Sequence, residues 1–585
     1  MIGGDDNALV KFTLGNWICD NDIPGIALDP RKVREEYQQI GGVHLYLLNN
    51  ARTKEVLFMC SSIRKIYLEN FKRFRQYTIE PKDNINVLIG DNETGKSSIL
   101  EAIDLVGNGN IHRIENIGID RLMNTDAVND FLQGDKQIKN LPTIRVELFL
   151  NGSFGFTMNG KNNHEEKSCD GIRLICEPNL DYASEIEEAI SADPNYFPFD
   201  YYSARFSTFA DESFTEYRKK LKCVMIDSTK MNSVYATNDF IQRMYSYYTE
   251  DEIKLRTIHK SEYRKVREDF SKNALGYLNS KIQKDNYLFG LKNGSVVSLE
   301  NNLTIYEDNV SIDCKGTGIQ SFIKTDFALR RSGDNIDVIL IEEPENHLSA
   351  VNLRRLIQLI VGNKKGQLFI TTHSSDISTR LEINNLLIMN RDKLTPTTLH
   401  QLQNETSKYF SKTPPASIVE FVTATKIILV EGSAEFIMLE KFYESVTNGK
   451  KPESEGVSII DVRGLSFKRY LEIAKLTGSK VAVITDNDGN HLKNCVKKYE
   501  DFNSLENIQI FYDSDNAKTT YEIVLYNCNT VLCEQLFKGR IRETTTTVQD
   551  WMLNNKTEAA FSLVSQENTV NVPEYIKRAI EWIRK

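Results

Sequence analysis

Long apolar runs are missing from this chain: its 585 residues nowhere hold the roughly 18 consecutive apolar positions that a membrane-spanning helix needs. The first residues carry Asp5 and Asp6 and no basic stretch, so no secretory signal, no membrane partner and a cytoplasmic location are expected. Paired cysteines are missing too. The nine cysteines (19, 60, 169, 176, 223, 314, 495, 528 and 533) never fall in a C-x-x-C spacing, which argues against a disulfide framework or a zinc site and leaves them as small, reduced core residues. Basic residues are in deficit, 72 Lys and Arg against 81 Asp and Glu, and the net charge of −9 excludes a surface that attracts nucleic acid everywhere. A local basic groove remains allowed. The mixed stretch from Lys254 to Lys272 interleaves Arg256, Lys260 and Arg264 with Glu262 and Glu268 and reads as a solvated helix face.

A chain of this length exceeds one hydrophobic core and should divide into roughly two to four domains. What is present is led by Gly90-Asp91-Asn92-Glu93-Thr94-Gly95-Lys96-Ser97, a complete G-x-x-x-x-G-K-[ST] phosphate loop. The apolar run Ile85 to Ile89 before it reads as a buried strand, and Ser98 to Ile103 after it as a helix start. Amides around Gly90, Asn92, Gly95 and Ser98 would wrap the phosphates of ATP, Lys96 would reach the β- and γ-phosphates, and Ser97 would join a magnesium shell.

Residues 1–62 form an extension, with a helix over 28–39 and a strand over 44–48 expected, and no motif that attaches to chemistry. From Ile63 the chain alternates like a strand, and 144–150 and 171–175 read as antiparallel strands around a polar turn. Residues 210–290 are polar, Tyr-rich and helical in pattern, an insertion sized for a dimerisation arm between two halves, 63–209 and 291–412, of a nucleotide-binding domain. In the second half the run Val338 to Ile341 ends in adjacent carboxylates, as a buried parallel strand delivers acids at its carboxyl edge. Glu342 would hold magnesium and Glu343 would polarise the attacking water. The next buried strand, 367–372, is tipped by His373, placed to touch a γ-phosphate. Lys315 to Ser321 is a glycine turn expected before a helix over 322–330.

With the phosphate loop, Glu342-Glu343 and Thr372-His373-Ser374, that turn resembles the signature loop of ABC-type ATPases, and the resemblance to ABC ATPases of the DNA-repair type covers residues 63–395. It implies that Gly318 and Gln320 cap ATP held by a second subunit, although Ile319 stands where the family's loop has its second glycine. A transporter ATPase is the plainer alternative, and the further α/β domain on the same chain speaks against it.

Past Pro414-Pro415, a linker, residues 413–585 alternate strand and helix and read as a parallel α/β sheet. Their acids fall at strand ends: Glu431 after the first strand, Glu435 one helical turn on, Asp486 and Asp488 after the third. Parallel strand tips lie side by side, so these carboxylates can converge on hard divalent cations. Glu-Gly after one strand and Asp-x-Asp after a later one resembles the Toprim domain. With Thr520-Tyr521-Glu522, Lys556 and the ATPase ahead of it, the chain resembles the OLD (overcoming lysogenization defect) family of ATP-dependent nucleases from residue 63 onwards.

That resemblance implies an ABC-type ATPase with an inserted helical segment followed by a Toprim domain. It also implies a homodimer or larger homo-oligomer acting on double-stranded DNA, and anti-phage defence, alone, beside a helicase as in Gabija systems, or beside a retron reverse transcriptase. Glu522 would be a further metal ligand and Lys556 would neutralise the scissile phosphate. Two cations about 3.5–4 Å apart suit phosphodiester cleavage, so Glu431, Glu435, Asp486, Asp488 and Glu522 are expected to hold Mg²⁺ or Mn²⁺. The rival readings are an ATP-driven DNA clamp or sensor with an inactive Toprim domain, and a topoisomerase or primase. No tyrosine lies in a recognisable nucleophile context.

Overall fold

Four- and five-residue apolar runs closed by polar turns are too short for helices and fit buried strands, and they become the two parallel sheets of this protein. The computed structural model describes residues 12–13, 16–17 and 61–585, apart from 92, 153–155, 194, 216–219, 228–233, 250–252, 283–287, 292–298, 331–335, 363–365, 391–392, 413–417, 465, 542–544 and 567–569. The elements expected over 28–39 and 44–48, the Pro414-Pro415 linker and Asn92 of the phosphate loop lie outside the described residues. The chain divides into two compact units, one of residues 1–84, 97–342 and 362–369 and one of 85–96, 343–361 and 370–585.

The first unit is built on an antiparallel sheet in the order Phe74–Ile79, Ser62–Phe71, Ile144–Asn151, Cys169–Pro178, with Tyr202–Thr208 also paired to the last. Phe149 lies opposite Gly171 and Val146 opposite Leu174, the antiparallel pairing that the polar turn implies. Cys223–Asp227 runs parallel to Val338–Glu342 with Asp227 opposite Glu342. The sequence reading put residues 223–227 inside a helical insertion, and the structure corrects this: Val224 and Cys223 are fully buried in a sheet. Five residues between polar, Tyr-rich flanks are too few to declare a period of two. Helices Val234–Tyr248, Ile253–Asp269 and Gly276–Ile282 follow, as the rest of that segment implies.

The helix of the phosphate loop, Lys96–Asn108, is tied to this helical segment by charge. Asp104, 1% exposed at its side chain, accepts from Arg243 Nη1 at 2.7 Å and also pairs with Arg113. Burial opposes its ionisation, but the Arg243 and Arg113 guanidiniums outweigh it and hold the carboxyl well below the usual carboxylate range.

In the second unit Ile85–Ile89 pairs parallel with Leu386–Ile388, and Leu386–Ile388 pairs antiparallel with Thr397–Thr398. A separate four-stranded sheet has the order Val457–Asp461, Lys426–Val430, Lys480–Ile484, Ile508–Phe511, all parallel. Helices Ser433–Val446 and Phe467–Thr477 stand where the alternation puts them. One core joins Ile428, Met438 and Ala482 to Ala560 and Ile580 of the C-terminal helices. Lys441 Nζ donates to the carbonyls of Val564 (3.0 Å) and Gln566 (2.6 Å), closing the end of helix Lys556–Val564 against Ser433–Val446.

Gln367 is fully buried in the first unit; its carbonyl accepts from Ile63 N at 2.8 Å and its amide donates to Ile63 O at 2.8 Å and Lys82 O at 2.7 Å. Gln367→Leu keeps the volume and leaves three backbone groups without this partner, each costing about 1–3 kcal/mol when buried. A loss of at least about 3 kcal/mol is expected in urea unfolding, well beyond the roughly 1 kcal/mol of an ordinary point change.

Candidate functional site

The phosphate loop begins where Ile85–Ile89 ends, and its glycines are required by space and by backbone angle. A Cβ on Gly90 would stand 2.7 Å from Met389 O and 2.8 Å from Thr94 Oγ1, and Gly95 has φ +93°. Thr94 Oγ1 donates to Asp91 O at 2.8 Å, closing the turn. Lys96 is 6% exposed and its ammonium donates to the loop carbonyls of Gly90 (2.7 Å) and Asp91 (3.0 Å), so the loop is already folded around it. Ser97 is exposed and Ser98 half-buried in the first turn of helix Lys96–Asn108, whose N-terminal dipole favours an anion.

Thr372 N donates to Leu88 O at 3.2 Å, which brings the tip of the strand Gln367–Thr371 beside the loop's own strand. At that tip Glu343 adopts φ +43°, its amide donates to Thr371 O at 3.0 Å, and its carboxylate accepts from Asn346 Nδ2 at 2.7 Å. His373 Nε2 stands 3.6 Å from Glu343 Oε1. Glu345, absent from the sequence-based set, accepts from both Thr372 Oγ1 and His373 N at 2.7 Å and so fixes the histidine turn. The Glu-Glu-Pro-Glu string was the signal that could have found it.

In the first unit Glu342 closes its strand at 5% exposure. The expected glycine turn is corrected there: helix Thr317–Leu329 starts five residues ahead of the expected Phe322, so Gly318 and Gln320 are helical and buried. Gln320 Nε2 donates to Lys315 O at 2.8 Å, and this cap extends the helix toward Gly316.

A second constellation lies wholly in the second unit. Lys426 pairs with Lys480 and Leu429 with Val483, so the two strands end in phase and Glu431 and Asp486 leave the same edge of the sheet. Glu435 follows in the first turn of Ser433–Val446. Asp488, at φ +46°, donates its amide to Thr519 O at 3.1 Å, which brings in the turn before Glu522. Glu522 is 3% exposed, and Lys556 Nζ lies 3.1 Å from each of its oxygens. Asn487, between the two aspartates and missed in the sequence, is 1% exposed. It donates to the carbonyls of Asp513 (2.8 Å), Asp515 (2.9 Å) and Lys518 (3.1 Å) and accepts from Gly489 N (2.8 Å). Nothing in its residue type announced that clamp.

The electrostatics of this edge ask for positive charge. Burial, then repulsion from Glu435, Glu431 and Glu522, pushes Asp486 up to about 8. Burial pushes Glu435 up to about 7, with Glu522 and Glu431 adding to the rise. Glu431 is raised by burial and by Asp488. Lys556 would be lowered by burial, but its hydrogen bond to Glu522 and the surrounding carboxylates win and raise it. Among the described residues no three His, Cys, Asp or Glu side chains close around one point as a finished ion cage. The acids share one edge instead. The donor set is all carboxylate oxygen, the chemistry that hard divalent cations take, and the buried like charges fit such ions.

Comparison with known proteins agrees with both halves. The model of an AAA ATPase domain matches residues 62–287 and 254–378, more than half of the chain, and the model described as overcoming lysogenization defect protein-like, TOPRIM domain matches residues 423–488. The chain belongs to the OLD family of ATPase–Toprim proteins. This OLD-family chain has an ABC-type ATPase fold with a C-terminal Toprim domain, and its ATPase domain implies nucleotide binding. The Toprim match includes Glu431, Glu435, Asp486 and Asp488 and stops before Glu522 and Lys556.

The curated relatives include the DNA replication and repair protein RecF of Teredinibacter turnerae, 28% identical over 103 residues, 18% of this chain and 27% of the relative. The RecF of Chlorobium phaeovibrioides is 49% identical over 41 residues, 7% of this chain and 11% of the relative. The chain therefore spans about a quarter or less of the length of these relatives. Similar solved structures include the C-terminal region of the Burkholderia pseudomallei OLD protein (17% identity, TM-score 0.23, 28% of this chain and 97% of that one). Another is the SMC head domain from Thermotoga maritima (14%, 0.26, 57% and 97%). Among the described residues no helix is long and apolar enough to cross a membrane.

Two measurements check the sites. Gly90→Ala is expected to weaken ATP binding at least about tenfold, because the added carbon collides with Met389 O; isothermal titration reads it directly. For the acidic edge, carboxyls raised to about 7 and about 8 lend stability below their unfolded values, near 4, and lose it as pH rises through the raised ones. In chelator the melting temperature should fall between pH 5 and 9, Asp486→Asn should flatten that fall and melt above wild type at the alkaline end, and added Mn²⁺ should restore only the wild type.

Proposed function

We propose that the protein is a divalent-metal-dependent DNA endonuclease of OLD type whose cutting is gated by the nucleotide state of its ATPase domain. The observation that supports this most is the shared edge of Glu431, Glu435, Asp486, Asp488 and Glu522 with Lys556 among them, inside a Toprim sheet. Glu431, Glu435 and Asp486, each pushed toward its neutral form by burial beside other acids, are poor structural partners for one another and good ligands for Mg²⁺ or Mn²⁺. Cations bound there would supply Lewis-acid charge neutralisation at the scissile phosphate and lower the pKa of the attacking water. Asp486, Asp488 and Glu431 would hold them from the strand tips, Glu435 and Glu522 from the helix starts. Lys556, kept charged by Glu522, would face the non-bridging oxygens, and Asn487 would keep the Asp-x-Asp turn and the Glu522 turn at a fixed separation.

At the ATPase, Lys96, Ser97 and the loop amides would hold the phosphates, Glu342 and Ser97 the magnesium, and Glu343 and His373 the attacking water. Gly318 and Gln320 would act from a second copy of the chain. We assign residues 63–227 and 291–412 to the ATPase domain, the helical part of the insertion from Val234 to 290 to a dimerisation arm and 413–585 to the nuclease domain, acting on double-stranded DNA in anti-phage defence. The acids that share an edge without closing into an ion cage favour one other reading, an ATP-driven DNA clamp with an inactive Toprim domain.

Purified protein with supercoiled and linear DNA in Mg²⁺ or Mn²⁺, with and without ATP, separates the two. Asp486→Ala is expected to abolish cutting with ATP binding kept, and Lys96→Ala to abolish ATP binding and change the nucleotide response of cutting. Full cutting by Asp486→Ala, or none by wild type with Mn²⁺ on any DNA, defeats the nuclease reading.

A further inference from the structure

A duplex engaged at this acidic edge runs the phosphates that flank the scissile one past a chain already at −9, so holding them calls for positive charge beside the edge. The segment that follows the Asp-x-Asp turn has that charge. Residues 490–498 contain three lysines and no carboxylate. They form the π-helical turn Leu492–Val496 running into the 3-10 stretch Lys497–Phe502, and π-turns are concentrated at functional sites. Its inner face is pinned to the aspartate turn: Cys495 Sγ donates to Asp486 O at 3.4 Å, and Asn494 Nδ2 to Asn487 O at 3.0 Å. Cys495, Tyr499 and Phe502 are buried on that face.

Lys493, Lys497 and Lys498 stand exposed on the other side, and none of them forms an ion pair among the described residues, whereas Lys450, Lys451, Lys518 and Lys556 of the same unit each face a carboxylate within 4 Å. Lys498 is near enough to Glu431 to pull against that carboxyl's rise. A lysine ridge without ion pairs of its own among the described residues, on a segment whose Cys495 and Asn494 side chains bond to the backbone of the aspartate turn, is arranged for phosphates rather than for the protein's own carboxylates.

We propose that Lys493, Lys497 and Lys498 form a binding site for the backbone phosphates of the duplex DNA engaged at the acidic edge. The ridge grips the strand without reading its sequence, since lysine offers a point charge and no base-edge pattern. This rests on the nuclease reading above and adds to it the surface that positions the substrate.

The test uses the full chain in an Asp486→Asn background with Mg²⁺, so that binding is read without cutting, and a labelled short DNA duplex across a salt series. Lys493→Glu, Lys497→Glu and Lys498→Glu together are expected to lower affinity tenfold or more and to reduce the slope of log K against log salt by about 2–3, near 0.9 for each lost phosphate contact. The three Lys→Arg changes should bind as the parent does. A control triple at Lys475, Lys577 and Arg578, also exposed in this unit, should change affinity less than about twofold. Melting temperature and DNA-free ATP hydrolysis should not move in any of them. A parental slope and affinity in the Lys→Glu triple, or an equal loss in the control, overturns the ridge while cutting by the wild type keeps the nuclease reading. A wild type that neither binds nor cuts DNA overturns both.

Discussion

The in-phase parallel pairing of Lys426–Val430 with Lys480–Ile484 is the constraint on which the second constellation depends. Two strands that end together put Glu431 and Asp486 on one edge, and a slip of one residue would turn one of them to the opposite face. Once those two are fixed, the remaining groups arrive by local geometry. Glu435 lies one helical turn past Glu431, Asp488 is held by Thr519 O, and that bond brings the start of the helix that carries Glu522. The core from Ile428 to Ile580 supports this arrangement at the cost of burying like charge, and the raised carboxyls of Glu435 and Asp486 are the measure of that cost. Stability and chemistry pull apart on this edge, as is common where charge is gathered for function.

The phosphate loop follows the same logic with backbone instead of charge. Gly90 and Gly95 are there because no side chain fits the path, and Lys96 rests on carbonyls of the loop that it serves. Glu345 does for the histidine turn what Asn487 does for the aspartate turn: half-buried Glu345 holds Thr372 Oγ1 and His373 N, and buried Asn487 holds three backbone carbonyls, so that neighbouring groups stay aimed. The Asp104 pair with Arg243 ties the helix that follows the phosphate loop to the helical segment.

Much of this was legible beforehand because local pattern and fold agree. The loop motif between an apolar run and a helix, the strand and helix alternation after residue 423, and the acids at strand ends each need only neighbours in sequence to be recognised. The failures have the opposite cause. Cys223–Asp227 is a strand because Val338–Glu342 lies beside it, and the amide of its preceding residue Lys222 donates to the side chain of Asp337, 115 positions on. The glycine turn at 316 became a helix start because Gln320 caps Lys315, a choice between two local conformations that glycine content alone does not make.

By itself the sequence determined which residue types stand at the strand ends and in the phosphate loop and in what order, since side-chain type, strand-end position and the glycine pattern are one-dimensional facts. Only the tertiary structure decided which of them share an edge, how far burial and mutual repulsion shift their protons, and that Asn487 and Glu345 hold the turns in place. Those properties depend on distances between residues remote in the chain, and distance is set by packing.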